Sequence, residues 1–194
     1  MNNDYVVIMA GGIGSRFWPM SDTENPKQFL DILGCGKTLL QLTAERFEGI
    51  CPIENIIVVT SKNYAEKVRE QLPDIPQENI LAEPCRRNTA PCIAYASWAI
   101  KERNPHANIV VTPSDHHIAQ VEEFQKCIKS CLNFTEETDS IVTLGIRPTH
   151  PETGYGYIQA ELSYASPTNH NIYRVDAFKE KPSIELARQY IVHT

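Results

Sequence analysis

Apolar runs of strand length alternate with stretches of helical period along most of this chain. That alternation limits the folds open to it more than any other feature. Tyr5–Met9, Asn55–Thr60, Ile80–Glu83, Ala107–Thr112 and Ile141–Ile146 are short apolar runs, most of them rich in β-branched residues. Between them the apolar positions fall three or four apart. Leu39, Leu42, Ala44 and Phe47 mark one helix, and Tyr64, Val68 and Leu72 a second. Ile93, Ala96, Ala99 and Ile100 mark a third, and Phe124, Ile128, Cys131 and Leu132 a fourth. Strands joined by helices and buried on both faces make a mainly parallel sheet, so the chain is expected to be α/β with helices on both faces and successive right-handed crossovers. After Pro148 the pattern changes. Gly154–Glu161 and Ile172–Lys179 are β-type runs with no helix between them, which predicts a hairpin-like excursion over a ligand cleft and makes the sheet content mixed. Ser183–Val192 reads as a final helix.

Composition narrows the function. A net charge of −6 provides no basic stripe for nucleic acid or an anionic membrane. No apolar run approaches the ~20 residues that span a bilayer. The opening MNNDYVV has no basic n-region and runs straight into a strand, so no secretion signal is expected. The 6 cysteines form no C-x-x-C pair, which argues against zinc and disulfides and for reduced thiols in a cytoplasmic setting. The adjacent His116 and His117 do not alter the zinc reading, because neighbouring side chains in a loop point apart. Cys127 and Cys131, four apart, are expected on the buried face of one helix. The sequence does not fix the oligomeric state and leaves a homo-oligomer open.

In open α/β sheets ligands sit at the carboxyl ends of the strands, and the polar motifs of this chain follow strands. After Tyr5–Met9 comes Ala10-Gly-Gly-Ile-Gly-Ser-Arg16, with Gly11, Gly12, Gly14, the Ser15 hydroxyl and the Arg16 guanidinium. Glycines let backbone N–H groups approach a phosphate chain. Lys27, in Asn25-Pro-Lys-Gln-Phe29, adds a second cation suited to a polyphosphate that gains charge during reaction. Two other phosphate motifs fail. G-x-G-x-x-G from Gly12 meets Phe17, and a Walker loop ending at Gly36-Lys37-Thr38 would need its first glycine at Asp31. Gly34–Thr38 is instead expected to be a turn whose Thr38 caps the next helix. Glu83-Pro-Cys-Arg-Arg-Asn-Thr-Ala-Pro91 follows the third strand, where Asn88 is either a helix cap or a ligand contact. Thr112-Pro-Ser-Asp-His116 follows the fourth, where Asp115 is either a helix cap or a carboxylate for Mg²⁺. Thr153–Ile158 is either an ordinary Gly/Tyr hairpin or a segment whose backbone meets a ligand, and Glu180-Lys181-Pro182 either a solvated turn or a polar contact.

The stretch AGG-x-GSR-x-WP-x-S…PKQF resembles the signature of the sugar nucleotidyltransferases, in the form carried by the mannose-1-phosphate guanylyltransferase branch. The E-P-x-x-R-N-T-A-P, P-S-D-H, G-Y-G-Y-I and F-K-E-K-P segments are similar to further motifs of that group and stand in its order, from Ala10 to Pro182. The resemblance implies a Rossmann-like nucleotidyltransferase fold and guanylyl transfer from GTP to mannose 1-phosphate, with Mg²⁺ as cofactor. By the same resemblance Arg16, Lys27 and Asp115 are catalytic, with Asp115 the metal ligand. Gly11, Gly12, Gly14, Ser15, Arg16, Glu83, Asn88 and Ser114 would bind the nucleotide, with Glu83 on the guanine. Gly154, Tyr155, Glu180 and Lys181 would bind the sugar phosphate. The chemistry fits, because guanine presents N1–H and N2–H side by side to a carboxylate. The rivals are a guanylyltransferase for another sugar 1-phosphate, a molybdopterin-type guanylyltransferase, which the G-Y-G-Y-I and E-K-P segments disfavour, and a non-catalytic regulatory homologue. Members of the group run on well past a position equivalent to Thr194 and carry a second metal-binding aspartate there. The expectation is therefore one catalytic domain over 1–194, truncated at its C-terminal end.

Overall fold

The computed structural model describes residues 3–12, 17–85, 87–166, 169 and 171–192. The chain divides into two compact units, Met1–Asp139 and Ser140–Thr194.

The first unit is built on strands β1 (Asp4–Met9), β2 (Ile56–Ser61), β3 (Ile80–Glu83) and β4 (Asn108–Pro113). All pair in parallel, in the order β3-β2-β1-β4. Helices α1 (Leu39–Glu45), α2 (Ala65–Gln71), α3 (Thr89–Arg103) and α4 (Val121–Glu137) accompany them. Alternate residues of a strand point to opposite faces, and the core divides accordingly. Val6, Ile8, Ile56 and Val58 pack with Leu40, Phe47, Val68, Ile128 and Leu132 on one side. Tyr5, Val7, Ile57 and Val59 pack with Cys92, Ala96 and Ile100 of α3 on the other. β1 and β2 are thus buried on both faces, which is why their sequences are continuous apolar runs rather than alternating ones.

Local chemistry sets the element ends. Thr38 accepts from the Gln41 N–H while the Gln41 side chain accepts from the Thr38 N–H, a reciprocal capping box that starts α1. The preceding turn is closed by Asp31, whose carboxylate accepts from the N–H groups of Cys35 and Gly36, with Gly34 and Gly36 at φ 67° and 82°. Gly34–Thr38 is therefore the helix-capping turn expected of it. Glu122 and Glu123 place negative charge in the first turn of α4, where the helix dipole favours it.

Two expectations need correction. Ile141–Ile146 is not a strand, and Ile141 and Ile146 are exposed. Strand structure exists through pairing, and among the described residues nothing pairs with this run. Cys127 and Cys131 are half-buried, on the flank of α4, while Ile128 and Leu132 hold its buried stripe.

In the second unit β5 (Gly156–Ala165) and β6 (Tyr173–Glu180) form the expected antiparallel pair, with irregularities after Gln159 and Glu161. Helix α5 (Ile184–Val192) follows. The Tyr157 ring lies 5.4 Å from that of Tyr190, tying β5 to α5.

Candidate active site

The sheet order places the reactive segments. The chain runs from β1 out through β2 to β3, then returns to add β4 on the other side of β1. The carboxyl ends of β1 and β4 are therefore neighbours where the order reverses, with Met9 opposite Pro113. That crevice is where open α/β sheets take ligands. Ala10–Gly12 leave one strand and Ser114–His116 leave the other.

The pieces converge on this edge. Lys27 lies on a short 3₁₀ turn, Lys27–Phe29, and its Nζ is 2.6 Å from Asp115 Oδ2. The two side chains are 34% and 27% exposed, so the pair is accessible to a ligand. Ser114 is buried, and its N–H donates to the Met9 carbonyl at 3.2 Å, pinning the start of the Asp115 loop to the end of β1. Asp115 does not cap α4, whose N-cap position is Gln120. From the other side, a Cβ on Gly11 would stand 3.5 Å from Glu83 Oε2, so the Glu83 carboxylate reaches across the end of β2 to the first glycine of the loop. Gly12 is exposed, with nothing within 4 Å of where a Cβ would lie. Gly14, Ser15 and Arg16 lie outside the described residues.

Asn88 precedes α3 but makes no side-chain cap hydrogen bond. Capping therefore does not account for it. Its backbone sits at φ 65°, ψ −165°, a region nearly reserved for glycine that costs of order 1–3 kcal/mol. Such strain clusters at ligand-binding sites, and the Asn88 side chain is left exposed just after Glu83.

Three supporting residues gave no signal in the sequence reading. Gln28, buried, donates from Nε2 to the carbonyls of Ala10 at 3.2 Å and Gly12 at 2.8 Å. The buried Thr60 hydroxyl donates to the same Ala10 carbonyl at 2.9 Å. Arg46, 4% exposed, donates from Nη2 to the His116 carbonyl at 2.8 Å and lies over the Phe124 ring. Its Nη1 is buried with no hydrogen-bond partner among the described residues, and burial pulls the guanidinium pKa down.

The second unit gathers its own set. Glu180 faces Gly156 in register, and the Lys181 N–H donates to the Tyr155 carbonyl at 3.2 Å. Lys181 Nζ is 3.4 Å from Glu180 Oε1, and both side chains are well exposed. A Cβ on Gly156 would come within 2.9 Å of Glu180 Oε2, so only glycine fits there without moving that carboxylate. The Gly154 N–H donates to Glu152 Oε1 at 2.9 Å, and the Tyr157 hydroxyl accepts from the Glu152 N–H at 2.9 Å. Gly154, Tyr155, Glu180 and Lys181 are thus brought together at one end of the β5–β6 pair, with Lys181 in the left-handed region at φ 44°.

A single accessible carboxylate opposite an ammonium fits Mg²⁺, which takes one or two carboxylates and completes its octahedron with phosphate oxygens and water. Among the described residues no three His, Cys, Asp or Glu side chains are grouped to hold a metal on their own. Among the same residues no helix is long and apolar enough to cross a membrane.

The chain is 39% identical over 191 residues to the mannose-1-phosphate guanylyltransferase of Escherichia coli (strain K12), covering 96% of this chain and 39% of the relative. It is 42% identical over 192 residues to mannose-1-phosphate guanylyltransferase 2 of Escherichia coli O157:H7, covering 95% of this chain and 39% of that protein. The chain therefore spans well under half the length of these relatives. Among solved structures it resembles a mannose-1-phosphate geranyltransferase of Thermus thermophilus, with TM-score 0.84 and 34% identity, covering 98% of this chain and 53% of that one. The nucleotidyl transferase family model matches residues 5–194, and the chain belongs to that family.

Proposed function

We propose that this chain carries the nucleotide-binding and sugar-phosphate-binding residues of a mannose-1-phosphate guanylyltransferase, which joins GTP and mannose 1-phosphate into GDP-mannose and releases pyrophosphate. The observation that carries the reading is the meeting of Lys27 and Asp115 at the crevice between β1 and β4, with Glu83 beside Gly11. The names of the relatives support the choice of base and sugar.

An oxygen of the sugar phosphate attacks the α-phosphorus of GTP. The new O–Pα bond forms as the bond from Pα to the bridging oxygen breaks, and the electron pair leaves on pyrophosphate. The attacking phosphate monoester is already ionised at neutral pH, so no general base is needed. Catalysis is then positioning and charge neutralisation. Lys27 bridges the α-phosphate and the incoming sugar phosphate, and Arg16 neutralises the departing pyrophosphate. The loop of Gly11, Gly12, Gly14 and Ser15 presents N–H and hydroxyl donors to the triphosphate. Ser114 and Asn88 flank the nucleotide, and the Glu83 carboxylate accepts from guanine N1–H and N2–H. Gly154 and Tyr155 offer backbone groups to the sugar, Glu180 accepts from its hydroxyls, and Lys181 holds its phosphate. Members of the family generally use a divalent metal ion. Here Asp115 would hold Mg²⁺, which when bound offsets phosphate charge. The 6 unpaired cysteines suit a cytoplasmic enzyme.

The test is pyrophosphate release by the full-length protein with Mg²⁺ and mannose 1-phosphate, comparing GTP, ATP, UTP and dTTP. The reading expects release with GTP well above the other three. No release with any of them, or equal release with all four, overturns it.

A further inference from the structure

We propose that Gln28 is a positioning residue that locks Ala10–Gly12, the start of the glycine-rich loop, to the turn carrying Lys27, so that this segment and the ammonium act on the nucleotide as one rigid unit. The inference rests on the nucleotidyl-transfer reading above.

Gln28 is 1% exposed. A primary amide nitrogen carries two hydrogens, and both are spent on one segment, at the carbonyls of Ala10 and Gly12. In a trans peptide the N–H points opposite to the C=O. Holding the Ala10 carbonyl on the protein side therefore fixes the direction of the N–H across the same bond, that of Gly11. Ala10 is held further by its own N–H on the Val59 carbonyl at 2.7 Å and by the Thr60 hydroxyl. The loop thus starts from a fixed point on β1 and β2, and Gln28 extends that fixation to Gly12.

The same three-residue turn reaches in three directions. Lys27 goes to Asp115, Gln28 to the loop, and Phe29 into the core beside Tyr64, with the Phe29 carbonyl accepting from Gln71 Nε2 at 3.0 Å. Phe29 is buried, so the turn cannot rotate about its own axis to compensate for a lost contact. A shift of the loop would be felt at Lys27 through one intervening side chain. Misplacement of about 1 Å in a reaction that depends on positioning costs on the order of 10²-fold in rate.

A merely structural role for a buried glutamine predicts lost stability and nothing more. Three variants of the full-length protein separate the two. Gln28→Met keeps the volume and removes both donors. Gln28→Glu keeps the shape, but its carboxylate faces two carbonyls, and on protonation it regains one O–H donor. Thr43→Val is the control: Thr43 is equally buried, and its hydroxyl donates to the Leu39 carbonyl inside α1. We expect kcat of Gln28→Met to fall ~10–10²-fold, with KM for GTP changed less than about threefold. Amide hydrogen exchange over Gly11 and Gly12 should quicken at temperatures where the fold is intact. Gln28→Glu should show the same loss at pH 8 and recover part of it as pH falls, relative to the wild type, while Gln28→Met should not recover. Thr43→Val should melt earlier with kcat within about twofold. Should Gln28→Met not fold, Gln28→Asn, one methylene short of both carbonyls, carries the same expectations.

A kcat within about twofold of wild type, an equal loss in Thr43→Val, or a pH-independent Gln28→Glu would each overturn the proposal. If the wild type transfers no nucleotide at all, the function reading fails separately. Exchange then still judges the lock, which unchanged exchange in the Gln28 variants would refute.

Discussion

Asp115→Asn should leave the fold almost untouched while abolishing the metal response. Asp115 Oδ2 lies 2.6 Å from Lys27 Nζ, but both side chains are roughly a third exposed. Solvent screens such a pair, and exposed ion pairs contribute ~0.2–1 kcal/mol. Asparagine keeps the shape and an acceptor oxygen for Lys27, so less than about 1 kcal/mol is lost. That is a fall of about 2–4 °C in Tm for a chain of this size. Mg²⁺ binding is the opposite case, because Asp115 is the proposed metal ligand and a neutral amide is a poor ligand for a hard cation. Calorimetric titration of GTP with and without Mg²⁺ reads one effect, and thermal unfolding of the same sample reads the other. The reasoning requires the Mg²⁺ enhancement of GTP affinity to be largely gone at nearly unchanged Tm. It fails if GTP binds the variant with the wild-type Mg²⁺ response. It fails equally if Tm drops by more than about 8 °C, since the carboxylate would then be structural.

Steady-state kinetics of Arg16→Ala and Lys27→Ala should show turnover cut ~10²–10³-fold with GTP binding much less affected; losses under about tenfold in both would remove them from the catalytic set. Glu83→Gln places a donor against a guanine donor and should cost GTP ~1–3 kcal/mol while ATP and UTP gain on it, as read by nucleotide competition. Unchanged GTP preference would make Glu83 structural. Burial pushes the Cys51 thiol up to about 12 and, with Glu83 adding to it, the Cys92 thiol up to about 11. At pH 8 a thiol reagent should therefore label exposed Cys35 and Cys85 fast and leave Cys51 and Cys92 until unfolding. An unfolded thiol loses its proton near 8.5. Above about pH 9 the unfolded state thus binds fewer protons, and stability should fall with rising pH by about 1.4 kcal/mol per unit for each of the two thiols. Denaturant unfolding at pH 8 and 10, with Cys51→Ala and Cys92→Ala flattening the slope, checks the sign.

The core strands and the loop after each were legible because a strand buried on both faces needs an unbroken apolar run, as in Ile56–Ser61. Turns that pin a helix start, such as Thr38 with Gln41, declare themselves by residue type. Ile141–Ile146 was misread because its composition suits a strand while its pairing depends on a partner that local sequence does not name. The order β3-β2-β1-β4 was likewise out of reach, although it is what makes Asp115 a neighbour of the glycine-rich loop. Lys27, Asp115 and Glu83 could be nominated from their charge and their place in the motifs, but the pairing of Lys27 with Asp115 and the approach of Glu83 to Gly11 could not. Gln28 and Arg46 were missed because they act through backbone carbonyls distant in sequence, a pairing that leaves no pattern along the chain.

The central claim is that the α-phosphorus of GTP ends on the sugar phosphate and the β- and γ-phosphates leave together. Incubating the full-length protein with mannose 1-phosphate, Mg²⁺ and GTP labelled either at the α- or at the γ-phosphorus follows each atom directly. The account predicts α-label in GDP-mannose and γ-label in pyrophosphate, in equal amounts and only when mannose 1-phosphate is present. Release of γ-label as inorganic phosphate, or α-label that stays in GTP or GDP, would contradict it.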